Sequence, residues 1–118
     1  MDLDVWISFE DEKITKWEGG DWAKDTVKEE LAETRSPFFP LGHDAYRKVD
    51  TLINSGKYES DRIDSLTRYV MVPRFEILKI IDELHCNIQH INERLDELKK
   101  YVDKLPDKDF YKLVQQEF

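Results

Sequence analysis

Residues 77–105 read ILKIIDELHCNIQHINERLDELKKYVDKL. Apolar side chains recur in this stretch at alternating spacings of four and three residues, at Ile77, Ile81, Leu84, Ile88, Ile91, Leu95, Leu98, Val102 and Leu105. This heptad pattern is typical of a helix whose narrow apolar stripe lies along a second helix. Because Pro73 suits the first turn of a helix and Pro106 ends one, the pattern predicts one long coiled-coil-like helix over about 73–105.

The composition of this seam predicts that the protein is a homodimer. At heptad position a the residues are mostly β-branched, and at heptad position d they are mostly leucine. This combination favours a coiled coil of two helices. We therefore expect the nine seam residues to form an oligomer interface, and Ile88→Asp to abolish the oligomer or the fold. The alternative is that the seam packs within its own chain, against shorter helices predicted at 44–55 and 61–70. The sequence leaves parallel and antiparallel pairing open.

The remaining patterns predict a mainly α single domain over residues 1–118. Alternation of Leu3, Val5, Ile7 and Phe9 indicates an N-terminal strand, with a possible hairpin partner at 14–18, followed by a helix from Asp21 to Arg35. A proline-containing loop and an αα-hairpin are expected over 36–72. Apolar residues at helical spacing after Pro106 predict a short terminal helix over 107–117.

Composition excludes several classes of partner. The chain has 118 residues, a charged fraction of 37% and a formal net charge of −8, so phosphate-rich nucleic acids and anionic membranes would repel it. Residues 1–34 alone carry a net charge of −7. The single cysteine, Cys86, cannot form an internal disulfide, which together with the acidic N-terminus indicates a cytoplasmic protein.

The acidic N-terminal region is the main functional signal. Carboxylates with tryptophans among them can dock on a basic surface, the rings acting as anchors and the charges raising the association rate. The partner-binding residues expected on this basis are Trp6, Glu10, Asp11, Glu12, Trp17 and Glu18. These features predict a non-enzymatic protein that binds and inhibits a protein partner, in the manner of immunity proteins or phage-encoded inhibitors.

Two other functions remain open on the sequence. The heptad helix could make the chain a structural or assembly adaptor. Alternatively, Phe38, Phe39, His43 and Tyr46 could bind a small ligand at the oligomer interface. No motif for catalysis, for a cofactor or for a metal is visible, because Cys86 and His90 lack the further ligands that a metal site needs.

Overall fold

The computed structural model describes residues 2–8 and 35–117. Within these residues the fold is α+β, with a four-stranded sheet and three helices. In chain order the elements are β1 (Leu3–Ser8), α1 (Gly42–Asn54), β2 (Ser60–Asp64), β3 (Thr67–Val72), α2 (Arg74–Leu84), α3 (Gln89–Asp103) and β4 (Tyr111–Glu117).

The sheet is antiparallel, and its strand order is β1-β4-β3-β2. Strand β4 therefore pairs with β1 on one side and with β3 on the other, as in the register Val5↔Gln115 and Arg68↔Gln115. Leu113, Val114 and Gln115 are at most 1% exposed, so this strand is buried on both faces. Strand β2 is the opposite case, an edge strand in which all five residues are exposed.

One face of the sheet packs against the helices and forms the core. Val5, Ile7, Val70, Val72 and Leu113 lie on this face and are fully buried. The helices contribute the rest of the core cluster, including Ala45 and Val49 from α1 and residues of the helical pair α2–α3. Helix α1 approaches β1 so closely at Gly42 that a Cβ there would lie 2.0 Å from the carbonyl oxygen of Leu3.

A buried polar network joins helix α1 to the sheet. The Gln115 side chain accepts a hydrogen bond from Arg68 Nε (2.8 Å) and donates one to the carbonyl oxygen of Tyr46 (3.1 Å). The guanidinium of Arg68 also pairs with Asp50 of α1. Because Gln115 is fully buried, these bonds offset the cost of removing its amide from water.

The structure shows that the prediction of one long helix over 73–105 is wrong. The helix ends at Leu84, and α3 begins at Gln89 with the chain in extended conformation at His85 and Ile88. The side chain of Asn92 fixes this break, since it accepts a hydrogen bond from the Cys86 amide (2.9 Å) and donates one to the Cys86 carbonyl (2.7 Å). Helices α2 and α3 pack against each other, so this stretch is a helical hairpin and not a coiled coil.

The heptad pattern persists because both helices of the hairpin direct their stripes into the same core. Seven of the nine seam residues are buried within this one chain, Ile91 is half-buried, and Ile88 at the corner is 46% exposed. That two copies of the chain associate stays a prediction. The prediction that they associate through a coiled coil along this seam is wrong.

Two further helices were predicted where the structure has strands, so the mainly α fold class is wrong. Residues 60–72 form the hairpin β2–β3 instead of the second helix of an αα-hairpin, and an Asx turn (Asp64 Oδ1 accepting from the Leu66 amide, 2.8 Å) shapes its tip. Residues 111–117 form β4 instead of a terminal helix. The N-terminal strand is confirmed as β1, and the elements predicted at 14–18 and from Asp21 lie outside the described residues.

Arg74, the first residue of α2, binds the segment that leads from α3 into β4. Its guanidinium donates to the carbonyl oxygen of Leu105 (2.8 Å) and to the Tyr111 hydroxyl (2.7 Å), and it pairs with Asp107 (3.2 Å). The Tyr111 hydroxyl in turn donates to the Pro106 carbonyl. The connection between α3 and β4 is therefore fixed to the start of α2.

Two substitutions at seam positions test the helical hairpin. Leu95→Asp buries an unpaired carboxylate at a position with 0% exposure, and we expect it to lower the free energy of unfolding by at least about 3 kcal/mol. Ile88→Asp lies at the exposed corner, and we expect a loss below about 1 kcal/mol. Urea unfolding of both variants measures the difference. Equal, large losses would indicate that Ile88 is buried and that the long helix is continuous.

Candidate functional site

The structure brings three separate parts of the chain together around a groove at the start of β1. The groove has a volume of about 340 Å³. We call it the edge groove, and it is lined by residues 2–4, by residues 38–43 and by Arg94 of α3.

Backbone hydrogen bonds to β1 position the loop that forms one wall of the edge groove. The Ser36 amide donates to the Ile7 carbonyl (2.8 Å) and the Phe39 amide donates to the Val5 carbonyl (2.9 Å). The Ile7 amide in turn donates to the Ser36 hydroxyl oxygen (2.8 Å). Residues 35–39 thereby cover the outer edge of β1, which leaves Phe39 buried and the ring of Phe38 36% exposed.

Leu41 turns the chain from this loop into α1. It has φ 55° and ψ 57°, the left-handed conformation, which costs a residue with a Cβ roughly 1–2 kcal/mol. Its carbonyl accepts the first helical bond, from the Ala45 amide (2.9 Å). No side chain caps the start of α1. The strained turn directs Gly42 against β1 and leaves His43 at the mouth of the edge groove.

The charged groups of the edge groove have no partners among the described residues. The carboxylates of Asp2 and Asp4, the guanidinium of Arg94 and the imidazole of His43 make no hydrogen bond or ion pair with any residue in 2–8 or 35–117. Both signs of charge are therefore available to a ligand, beside the exposed ring of Phe38. Such a groove can contact a polar, charged segment and an apolar side chain at the same time.

A stack of side chains supports the ring of Phe38. The guanidinium carbon of Arg35 lies 4.3 Å from the centre of the ring, within the range of a cation–π contact. The centres of the Phe38 and Trp6 rings are 5.4 Å apart and the rings are tilted by 46°. Trp6 is 9% exposed, so it supports Phe38 from below and offers little surface of its own to a partner.

Of the residues predicted to bind a protein partner, only Trp6 lies within the described part of the chain. Glu10, Asp11, Glu12, Trp17 and Glu18 lie outside it. Of the residues suggested for a small ligand, Phe38, Phe39 and His43 line the edge groove. Tyr46 is packed against the core and does not line it.

Sequence reasoning missed Asp2, Asp4 and Arg94 as members of one site. The alternation along β1 places Asp4 opposite Leu3, Val5 and Ile7, and this pattern identifies Asp4 as a solvent-facing residue. No local pattern links Arg94 to β1, because the two meet only through the packing of the helical hairpin against the sheet.

The corner between α2 and α3 carries a histidine whose two ring nitrogens both face hydrogen-bond acceptors. His85 Nε2 lies 3.0 Å from Asp96 Oδ1, and Nδ1 lies 2.9 Å from the Ile81 carbonyl oxygen. Both acceptors lack a proton to donate, so both bonds hold only when the ring is doubly protonated. The hydrogen bond to Asp96, the bond to Ile81 and the nearby charge of Asp82 raise the pKa of His85 above its ordinary value.

Neither a metal site nor a membrane-spanning helix is found within residues 2–8 and 35–117. No cluster of three or more His, Cys, Asp or Glu side chains there could hold a metal ion. None of the helices in these ranges is long and apolar enough to cross a bilayer.

Comparison of this chain with family models, with curated proteins and with solved structures gives no match.

The geometry of His85 predicts that the stability of the corner between α2 and α3 depends on pH. Because its pKa in the folded protein is raised above about 6.5, the stabilisation from its two bonds is complete below pH 6.5 and is lost as pH rises through the folded-state value. An NMR titration of the ring measures this pKa directly. We expect Asp96→Asn to lower it, because the negative charge that favours the imidazolium is gone. A pKa at or below 6.5 that is unchanged in Asp96→Asn would contradict the assignment.

Proposed function

We propose that this protein is a non-catalytic protein-binding module of the cytoplasm that engages, and inhibits, a partner through a basic segment of that partner. The edge groove is the part of the proposed binding region that the structure describes; Glu10, Asp11, Glu12 and Glu18, which lie outside the described residues, belong to the proposal through their charge. Asp2 and Asp4 at the start of β1 bind the segment, and the acidic residues that follow in the sequence raise the rate at which it arrives.

One observation carries this proposal: Asp2 and Asp4, whose carboxylates have no partner within residues 2–8 and 35–117, line the same groove as the 36%-exposed Phe38. A basic segment supplies the cations that both carboxylates lack, and an apolar side chain of the same segment covers the ring. Aromatic rings in a charged rim are the usual anchors of protein interfaces. Arg94 contributes specificity, because its guanidinium repels a cation and donates hydrogen bonds to a carbonyl or carboxylate of the segment.

The sequence supports the cellular setting of this proposal. Cys86 is exposed and is the single cysteine of the chain, which suits a reducing compartment. A net charge of −8 favours basic partners and disfavours nucleic acids and anionic membranes.

A specific observation also favours a small-ligand function for the same groove. Phe38, Phe39 and His43 line it together with Arg94, and its volume of about 340 Å³ lies at the lower end of the range for ligand pockets, about 300–1,000 Å³. A ligand with a carboxylate and an aromatic or aliphatic body would match Arg94 and Phe38. Native mass spectrometry of the purified protein separates the two functions, because a carried ligand adds a defined mass.

The binding proposal predicts a charge-dependent affinity for basic extended peptides. We expect a peptide that alternates lysine with valine to shift the backbone NMR signals of residues 2–4 and 38–43. The double variant Asp2→Asn/Asp4→Asn should bind it about threefold to thirtyfold more weakly, since exposed charge pairs contribute a few tenths of a kcal/mol to about 1 kcal/mol each. Raising the salt concentration should weaken binding by the wild type more than by the variant.

A matched control removes the same number of charges elsewhere. Glu59→Gln/Asp109→Asn alters two exposed carboxylates that do not line the edge groove and should leave the affinity within about twofold. The proposal fails if both double variants lose affinity equally, because binding would then follow net charge alone. It also fails if the peptide shifts no signal of the edge groove.

A further inference from the structure

A second groove lies between helices α1 and α2, away from the edge groove. It has a volume of about 220 Å³ and is lined by Leu52 and Ile80 as apolar walls, by Thr51, and by charged residues that include Glu76. We call it the interhelical groove. This volume is below that of pockets for drug-sized ligands, about 300–1,000 Å³, and suits a single side chain.

Glu76 is the unusual member of this groove. It is 8% exposed, and among the described residues it makes no side-chain hydrogen bond or ion pair. Every fully enclosed side-chain polar atom in those residues has a hydrogen-bond partner. Because the carboxylate oxygens of Glu76 have none, they are not fully enclosed and keep a small opening to solvent. A carboxylate that is nine-tenths buried without a partner is costly.

The sequence explains why Glu76 has no partner within its own helix. Glu76 is the third residue of α2, and Pro73 is the N-cap. A glutamate at this position ordinarily accepts a hydrogen bond from the backbone N–H of the N-cap residue. Proline has no N–H. Glu76 therefore gains only the favourable field of the helix N-terminus, and its acceptor oxygens remain available.

Two of the other charged residues of the groove pair with each other. Lys48 of α1 pairs with Glu83 of α2 at 2.5 Å, across the groove. This bond, with the nearby charge of Lys79, lowers the pKa of Glu83. Lys79 forms no ion pair with Glu76. The Thr51 hydroxyl donates to the carbonyl of Arg47. Among the described residues, Glu76 and Lys79 are therefore the two charged side chains of the groove that make no ion pair, and Glu76 is the buried one of the two.

We propose that the interhelical groove binds the side chain of a lysine from a partner protein. The ammonium donates to the carboxylate of Glu76, and the four methylene groups of the lysine lie between Leu52 and Ile80. Long cationic side chains bury their aliphatic part along apolar walls in this way. The buried carboxylate of Glu76, the size of the groove and its aliphatic walls together favour a lysine over a larger group. This site is separate from the edge groove, and either can exist without the other.

The test uses the full chain and defined lysine probes. N-acetyl-lysine-N-methylamide should bind with millimolar affinity and shift the NMR signals of Leu52, Thr51 and Ile80. The Nζ-acetylated form of the same compound, which lacks the charge, should not. Glu76→Gln keeps the shape of the side chain and should weaken binding at least about tenfold, while Lys79→Gln should strengthen it because a competing cation is removed.

Glu97→Gln is the matched control, an exposed carboxylate on α3 that does not line the interhelical groove, and it should bind like the wild type. Urea unfolding shows that each variant is folded. n-Butylamine carries the same ammonium and four-carbon chain as the lysine side chain and should bind about as tightly, whereas methylamine, which lacks the chain, should bind much more weakly; equal binding by methylamine would mean that the aliphatic walls contribute nothing and that the assignment to a lysine side chain is wrong. Equal binding by Glu76→Gln, or no shift of the groove signals by the lysine compound, would overturn the site itself.

Discussion

Strand β4 holds the sheet together, because β1 and β3 meet only through it. The first and last described strands of the chain pair with each other, and the remaining hairpin, β2–β3, adds to the far side of β4. Leu113 and Gln115 of this strand face the helices, and the Gln115 amide links Arg68 of β3 to α1. Both grooves depend on this arrangement: the edge groove needs β1 in place beside α1 and α3, and the interhelical groove needs α1 fixed on the sheet.

The sequence predicted the parts of the fold that local patterns determine. Strict alternation over Leu3–Ile7 identified β1, and the pattern from Asp44 identified α1 to within two residues of its start. Prediction from the sequence failed where tertiary packing determines the secondary structure. The 4-3 spacing over 77–105 is satisfied equally by one long helix and by two helices facing one core, and only the bonds from Asn92 to Cys86 show the break. In β4, burial of both Leu113 and Val114 removes the alternation that identifies a strand.

Prediction of the candidate sites was limited for the same reason. Phe38 and Phe39 were singled out because large apolar residues among prolines indicate a loop that does more than connect, and His43 because it lies beside an acid and a tyrosine in the sequence. Trp6 was expected as an exposed anchor, yet its ring lies beneath Phe38. Arg94 and Glu76 carried no local signal. Glu76 becomes notable only when its burial, its lack of a partner and the missing N–H of Pro73 are seen together.

Amide hydrogen exchange under native conditions tests the central position of β4 most directly. Amides of a strand paired on both sides exchange only when the whole protein unfolds, whereas those of an exposed edge strand exchange through local opening. We expect the amides of Leu113, Val114 and Gln115 to be among the slowest in the protein, on the order of a hundredfold or more slower than those of β2. Exchange of these three amides at the rate seen in β2 would place β4 at an edge and contradict the account of the fold and of both grooves.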